Sequence, residues 1–188
     1  MIRFDHVTFG YEAEHPVLRE LSLEIPEGDR VCLTGASGQG KTTVLRLLLG
    51  LEQPQRGAVI RPEGTRFSVV FQENRLLPWK TALENAALTG SAEDARCWLT
   101  ELGLGDSLDA LPEALSGGMK RRAALARALA HPFDVLVLDE ALTGLDEAAK
   151  ARCLAAIDRA VGPRKTLVMA CHDPAEAAAL AARTIPVA

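Results

Sequence analysis

No stretch of this sequence approaches the apolar length of a bilayer-spanning helix, and the opening "MIRFDHVTFG" lacks the basic start and apolar run of a secretory signal. Any work at a membrane would therefore need a partner that supplies the span. Clustered positive charge is also scarce: the formal net charge is -4, and Lys120 to Arg122 make one short basic cluster that a solvated helix face accounts for. A nucleic-acid surface as the dominant feature is thereby disfavoured, because neutralising phosphates takes many clustered Lys and Arg side chains. Cys32, Cys97, Cys153 and Cys171 form no C-x-x-C pair and no regular framework. Their spacing points away from a zinc site or a disulfide scaffold and toward reduced thiols in a cytosolic protein. Internal repeats and low-complexity linkers are absent too.

What is present suffices for one compact unit. The chain has 188 residues, 48% apolar and 24% charged, enough for a single buried core and too apolar for disorder. Ile2 to Phe9 and Leu18 to Ile25 carry strand patterns with turn chemistry in Pro26 to Asp29, so the chain is expected to open with antiparallel β. "RVCLT" (Arg30 to Thr34) then reads as a buried strand, followed by a glycine-rich loop and an apolar helix stopped by Gly50. Short β runs at Ala58 to Ile60 and Arg66 to Phe71 precede a helical stretch from Asn74 to about His131, with helix starts at Thr81-x-x-Glu84 and Ser91-x-x-Asp94. "DVLVLDE" (Asp134 to Glu140) suits a strand covered on both faces. A helix from about Asp146, a strand in "KTLVMACHD" and a last helix behind Asp173 and Pro174 complete the pattern. Alternating strands and helices predict an α/β fold with a mostly parallel sheet. One domain is expected over residues 1–188, with 1–73 and 132–188 as its core and 74–131 as a helical insertion.

Three stretches carry chemistry. Gly35 to Thr42, "GASGQGKT", fits G-x-x-x-x-G-K-[ST] between a predicted strand and a predicted helix. Its glycines let backbone N–H groups turn around nucleotide phosphates beside a helix N-terminus, with Lys41 for the β- and γ-phosphates and Thr42 for magnesium. Asp139 comes at the end of a buried strand, where open α/β sheets bind ligands, and would hold magnesium through water. Glu140 follows and could act as general base toward an attacking water. "LSGGMKRR" (Leu115 to Arg122) starts an Ala/Leu/Arg helix. Ser116 is a good N-cap there, and at this level an ordinary helix start and an outward-pointing phosphate site both explain it.

These motifs are joined, in order, by Tyr11, by Gln72 in "VFQE", by "GLD" at Gly144 to Asp146 and by His172 in "CHD". In that order and spacing the chain resembles the nucleotide-binding subunit of ATP-binding cassette (ABC) transporters over nearly its whole length. The resemblance implies a P-loop NTPase fold with a mostly parallel central sheet, an N-terminal antiparallel β subdomain and a short helical subdomain insertion. It also implies ATP and Mg2+ as cofactors. Gly35, Ala36, Ser37, Gly38, Gln39, Gly40, Lys41, Thr42 and Thr43 would bind nucleotide, and Tyr11 would stack on adenine. Thr42, Gln72 and Asp139 would serve magnesium, while Glu140, His172 and Gln72 would serve hydrolysis. Ser116, Gly117 and Gly118 would cover the ATP of a second copy, or of a homologous cassette, in a head-to-tail dimer that Asp146 helps to join.

The remaining partners implied are an integral membrane permease docked near Gln72 and, indirectly, a solute-binding protein. The expected place is the cytoplasm, on the inner face of the membrane. Departures from the family pattern are Ala141 for a proline, Gly144 for alanine or serine, and Met119 for the commoner glutamine. Short segments on either side of Gln72 and an end soon after His172 read as a trimmed cassette without a C-terminal regulatory domain. "VFQENRLLPWKTALENAAL" (Val69 to Leu88) is similar to the equivalent stretch of importers for nitrate, aliphatic sulfonates and taurine. The alternatives are a soluble ABC ATPase acting on ribosomes or DNA, and a phosphate-loop kinase. The first usually carries two cassettes in one chain or long coiled-coil insertions, and the sequence shows neither; in the second, "LSGGM" and His172 have no obvious place.

Overall fold

The computed structural model describes residues 1–12 and 15–187. Strands β1 (Ile2–Phe9), β2 (Leu18–Ile25) and β4 (Arg56–Ile60) pair antiparallel in the order β2-β1-β4. Strands β3 (Arg30–Thr34), β5 (Phe67–Val70), β6 (Val135–Asp139), β7 (Thr166–Ala170) and β8 (Arg183–Pro186) form a fully parallel sheet in the order β5-β6-β7-β3-β8. The predicted α/β architecture is the one observed.

Every residue of β6 is buried, and its side chains alternate between two cores. Val135 and Val137 pack with Phe4, Leu18 and helix α1 (Lys41–Leu49) beneath the antiparallel sheet. Leu136 and Leu138 face the other way, toward helices α3 (Ala92–Glu101), α4 (Gly117–Ala130) and α5 (Glu147–Val161). A strand apolar on both sides is what a central parallel position requires. The loops after β3, β5, β6 and β7, which lead to Lys41, Gln72, Glu140 and His172, therefore leave one edge of a rigid, doubly covered sheet.

The helix starts follow their cap chemistry. Helix α2 (Ala82–Ala86) opens with a complete capping box between Thr81 and Glu84, and Ser91 accepts from the Asp94 N–H at the start of α3. Asp146 caps α5, and Asp173 caps the short α6 (Pro174–Ala179).

The expected helical stretch starts later than predicted. Residues 74–80 form no helix, because Pro78 disfavours helical backbone at the residue before it. Side chains hold this segment instead. Arg127 donates to the carbonyls of Asn74 at 3.0 Å and Arg75 at 2.8 Å, and the buried Asn85 accepts from the Leu77 N–H at 2.7 Å. Strand β8 was not predicted, since "RTIP" is mostly exposed and carries no alternation. The fold also brings together Cys32 and Cys171, 139 positions apart, as neighbouring free thiols on the α4 side of the sheet.

Candidate functional site

The loop between β3 and α1 builds the first part of the site. Gly40 caps α1 at φ 92, and a Cβ there would meet Val17 and Leu18 side chains at 2.9 Å, so only glycine fits this turn. Lys41 is buried, and its Nζ donates to the carbonyls of Gly35 at 2.9 Å and Ala36 at 3.1 Å. Gln39 Oε1 accepts from the Ala36 N–H at 2.5 Å, which closes the loop on itself.

Helix α1 has no side-chain cap and no acidic residue in its first turn. Helix α4 also lacks an acid there, whereas α2, α3, α5 and α6 each have one. Two helix N-termini thus carry no acid in their own first turn, which suits an anion site.

Asp139 and Glu140 share a strand end but not an environment. Asp139 is 4% exposed and accepts from the Thr42 hydroxyl at 3.1 Å. Burial pushes its carboxyl above the ordinary range, partly offset by the Thr42 hydrogen bond. Glu140 has a left-handed backbone at φ 51, uncommon for a non-glycine residue. Its N–H donates to the Ala170 carbonyl at 3.0 Å, and its carbonyl accepts from Arg121 Nη1 at 3.3 Å. Held in this way, the Glu140 carboxylate meets His172 Nε2 at 2.7 Å and Gln72 Nε2 at 3.4 Å. The three residues expected to serve hydrolysis come from the ends of three adjacent strands, β5, β6 and β7.

A cavity of about 490 Å³ lies beside them, lined by Tyr11, Ser37, Gly38, Gly40 to Thr43, Arg46, Gln72 and Glu140. Its size suits a small ligand, and its phosphate-loop lining suits a polyphosphate. Thr42 and Asp139 offer a hydroxyl and a carboxylate within 3.1 Å of each other. Two protein oxygens fit magnesium, which takes few protein ligands and completes its shell with water and phosphate. No cluster of three or more His, Cys, Asp or Glu suited to a metal ion occurs among the described residues.

Ser116, Gly117 and Gly118 do not line that cavity. Ser116 caps α4 by accepting from the Met119 N–H at 3.2 Å, and it and Gly117 are exposed. Asp146 likewise caps α5, accepting from the Ala149 N–H at 2.8 Å, and is exposed. Two site residues were not anticipated. Arg121 reaches Glu140 across 19 positions and Arg46 reaches Tyr11 across 35, and no local pattern signals either contact.

The Asp139 geometry predicts a stability cost. Asp139→Asn keeps the acceptor for Thr42 and removes a buried charge. It should raise the melting temperature of the ligand-free protein by about 2–4 °C, the shift that roughly 1 kcal/mol gives in a chain of this size, and should abolish magnesium-dependent turnover. Because the folded carboxyl titrates above its unfolded value, the wild type gains stability as pH falls through that raised value. The advantage of Asn is therefore full at neutral pH and shrinks on acidification, which calorimetric melts over that range would read.

Fold and site together define a P-loop nucleotide-binding cassette. The sequence matches the ABC transporter family over residues 18–143, and the chain belongs to that family as one of its ATPases. It is 41% identical to the aliphatic sulfonates import ATP-binding protein SsuB 1 of Agrobacterium fabrum, over 98% of this chain and 70% of that one. Identity to SsuB 1 of Paracoccus denitrificans is 40%, over 92% of this chain and 73% of the relative. For SsuB 1 of Burkholderia cenocepacia it is 42%, over 90% of this chain but only 56% of that longer protein.

Among solved structures, a dimeric ATP-binding cassette in a post-hydrolysis state with ADP and Pi superposes with a TM-score of 0.90 at 27% identity, covering 100% of this chain and 94% of that one. A bacterial Atm1-family ABC exporter with ATP bound superposes at 0.87 and 26% identity, covering 94% of this chain and 35% of that one. No helix among the described residues is long and apolar enough to cross a membrane.

Proposed function

We propose that this chain is the ATP-hydrolysing subunit of an importer for small solutes of the aliphatic sulfonate class, working as a pair of copies. The observation that carries this reading is the separation of two phosphate-binding features within one chain. The cavity is lined by phosphate-loop residues and Glu140, with Asp139 bonded behind it to Thr42, while the α4 N-terminus, at Ser116 to Gly118, lies outside it. Two copies placed head to tail would bring each cavity under the α4 N-terminus of the other.

In that arrangement, backbone N–H groups of residues 37–43 and the Lys41 ammonium hold the ATP phosphates. Thr42 and Asp139, with Gln72 nearby, would hold magnesium, which supplies charge neutralisation at the β- and γ-phosphates. Glu140 accepts the proton of the attacking water, and His172 keeps the Glu140 carboxylate aimed. Asp146 adds a contact between copies. A permease docked near Gln72, on the inner face of the membrane, would convert closing and opening of the pair into transport, with solute delivered by a binding protein. The fold alone does not give direction, since an exporter cassette shares it. The importer reading rests on relatives named for sulfonate import, from which the rival reading on ribosomes or DNA gains no support.

Vesicles enclosing ATP, with the chain on the inside and its permease in the bilayer, should accumulate an alkanesulfonate supplied outside with its binding protein. ATP-dependent loss of preloaded solute would make the system an exporter. Hydrolysis with no movement of solute would remove the transport reading.

A further inference from the structure

Tyr11 follows β1 on a loop and is 55% exposed, yet its ring is held at both ends. At the base it meets Phe9 edge to face, with centroids 5.1 Å apart and planes at 86°. At the tip its hydroxyl oxygen accepts from Arg46 Nη1 at 3.2 Å and lies 3.4 Å from Thr43 Oγ1. Thr43 and Arg46 are three positions apart on α1 and so lie on one face of the helix that begins with Lys41 and Thr42. The aromatic ring is therefore pegged to the same rigid element that carries the phosphate contacts. A free aromatic side chain on a loop must be ordered when a base stacks on it, at a cost in affinity, and a ring already fixed avoids that cost.

We propose that Arg46 is a positioning residue for nucleoside recognition: by holding the Tyr11 hydroxyl it sets the ring at a fixed offset from the phosphate loop, so that base stacking and phosphate capture are satisfied together. This rests on the reading of the cavity as an ATP site with Tyr11 as its base platform. The guanidinium suits the task because its donors are held in a planar, rigid fork. Arg46 also lies close enough to Asp139 to favour its ionised form, so a direct charge effect on bound phosphates is the competing account.

Calorimetric titration of the full chain with ADP and with inorganic pyrophosphate, both with magnesium, separates the two. Tyr11→Phe and Arg46→Met break the same hydrogen bond from opposite sides. Each is expected to weaken ADP about 3–10-fold, the worth of one hydrogen bond, and to leave pyrophosphate unchanged. The double variant should be no weaker than either single one, and Arg46→Lys should recover part of the loss. Equal weakening of ADP and pyrophosphate by Arg46→Met would overturn the proposal in favour of the charge effect. Wild-type ADP affinity in Tyr11→Phe, or additive losses in the double variant, would overturn it as well. Tyr11→Phe sits on an exposed loop, so it stays informative even if Arg46→Met folds poorly. Tyr11→Ala isolates the underlying reading. Unchanged ADP affinity there removes the base platform itself, whereas a loss in Tyr11→Ala with none in Tyr11→Phe keeps the platform and removes the peg.

Discussion

Glu140→Gln is expected to stop ATP turnover while leaving ATP bound. The side chain is 16% exposed and lies within hydrogen-bond reach of His172 at 2.7 Å and Gln72 at 3.4 Å. Glutamine has the same shape and can occupy the same pocket, but it cannot take a proton from water. Loss of a positioned general base costs about 10²–10⁴ in rate. The backbone device that presents the residue, a left-handed φ pinned by Ala170 and Arg121, is untouched by the substitution. ATP affinity should therefore stay within about twofold, a difference of roughly 0.4 kcal/mol. Phosphate release and retained nucleotide, measured on the same sample, check both halves. Wild-type hydrolysis in the variant would take the base role away from Glu140.

The second large effect is expected at Gly117→Glu, where the structure makes the experiment unusually clean. A Cβ at Gly117 meets nothing within 4 Å, so the folded chain has room for the new side chain. Residue 117 opens α4, where a negative charge favours the helix dipole and does not harm stability. Everything the substitution disturbs must therefore lie outside its own chain. An acid at that point would repel the γ-phosphate of a nucleotide carried by the second copy. Turnover should fall by about 10²-fold, comparable to losing one donor to a developing charge, with the melting temperature unchanged and single-chain ADP binding intact. Melts, ADP titration and steady-state hydrolysis read the three quantities. Unchanged hydrolysis would mean that the α4 N-terminus faces no phosphate.

Much of this was legible in the sequence because the signals were local. The continuous apolar run of β6, the capping residues Thr81, Ser91 and Asp146, and the glycine turn before α1 each act within a few residues, and each element formed where that chemistry put it. The placement of Gln72, Glu140 and His172 beside one another was legible only through family order, since it depends on the strand order β5-β6-β7. What stayed hidden was carried by contacts between distant positions. Arg46 on Tyr11, Arg121 on Glu140, Arg127 on the 74–75 backbone and the Cys32 and Cys171 neighbours all depend on how the sheet is threaded. The exposed edge strand β8 failed for a different reason: all four of its residues are held in register by β3 rather than by any apolar pattern of their own.

The structure also sharpens what "LSGGMKRR" does. Ser116 is an N-cap, and the helix it caps has no acid in its first turn, so capping is compatible with the phosphate role proposed for the same residues. That end lies outside the chain's own cavity, so the phosphate role proposed for it requires a second copy.

The mass of the Glu140→Gln variant in solution, measured by analytical ultracentrifugation with magnesium and saturating ATP, tests that requirement most directly. The account predicts a dimer holding two ATP molecules that reverts to monomer when ADP replaces ATP. A species that binds ATP fully and remains a monomer at every protein concentration would contradict it.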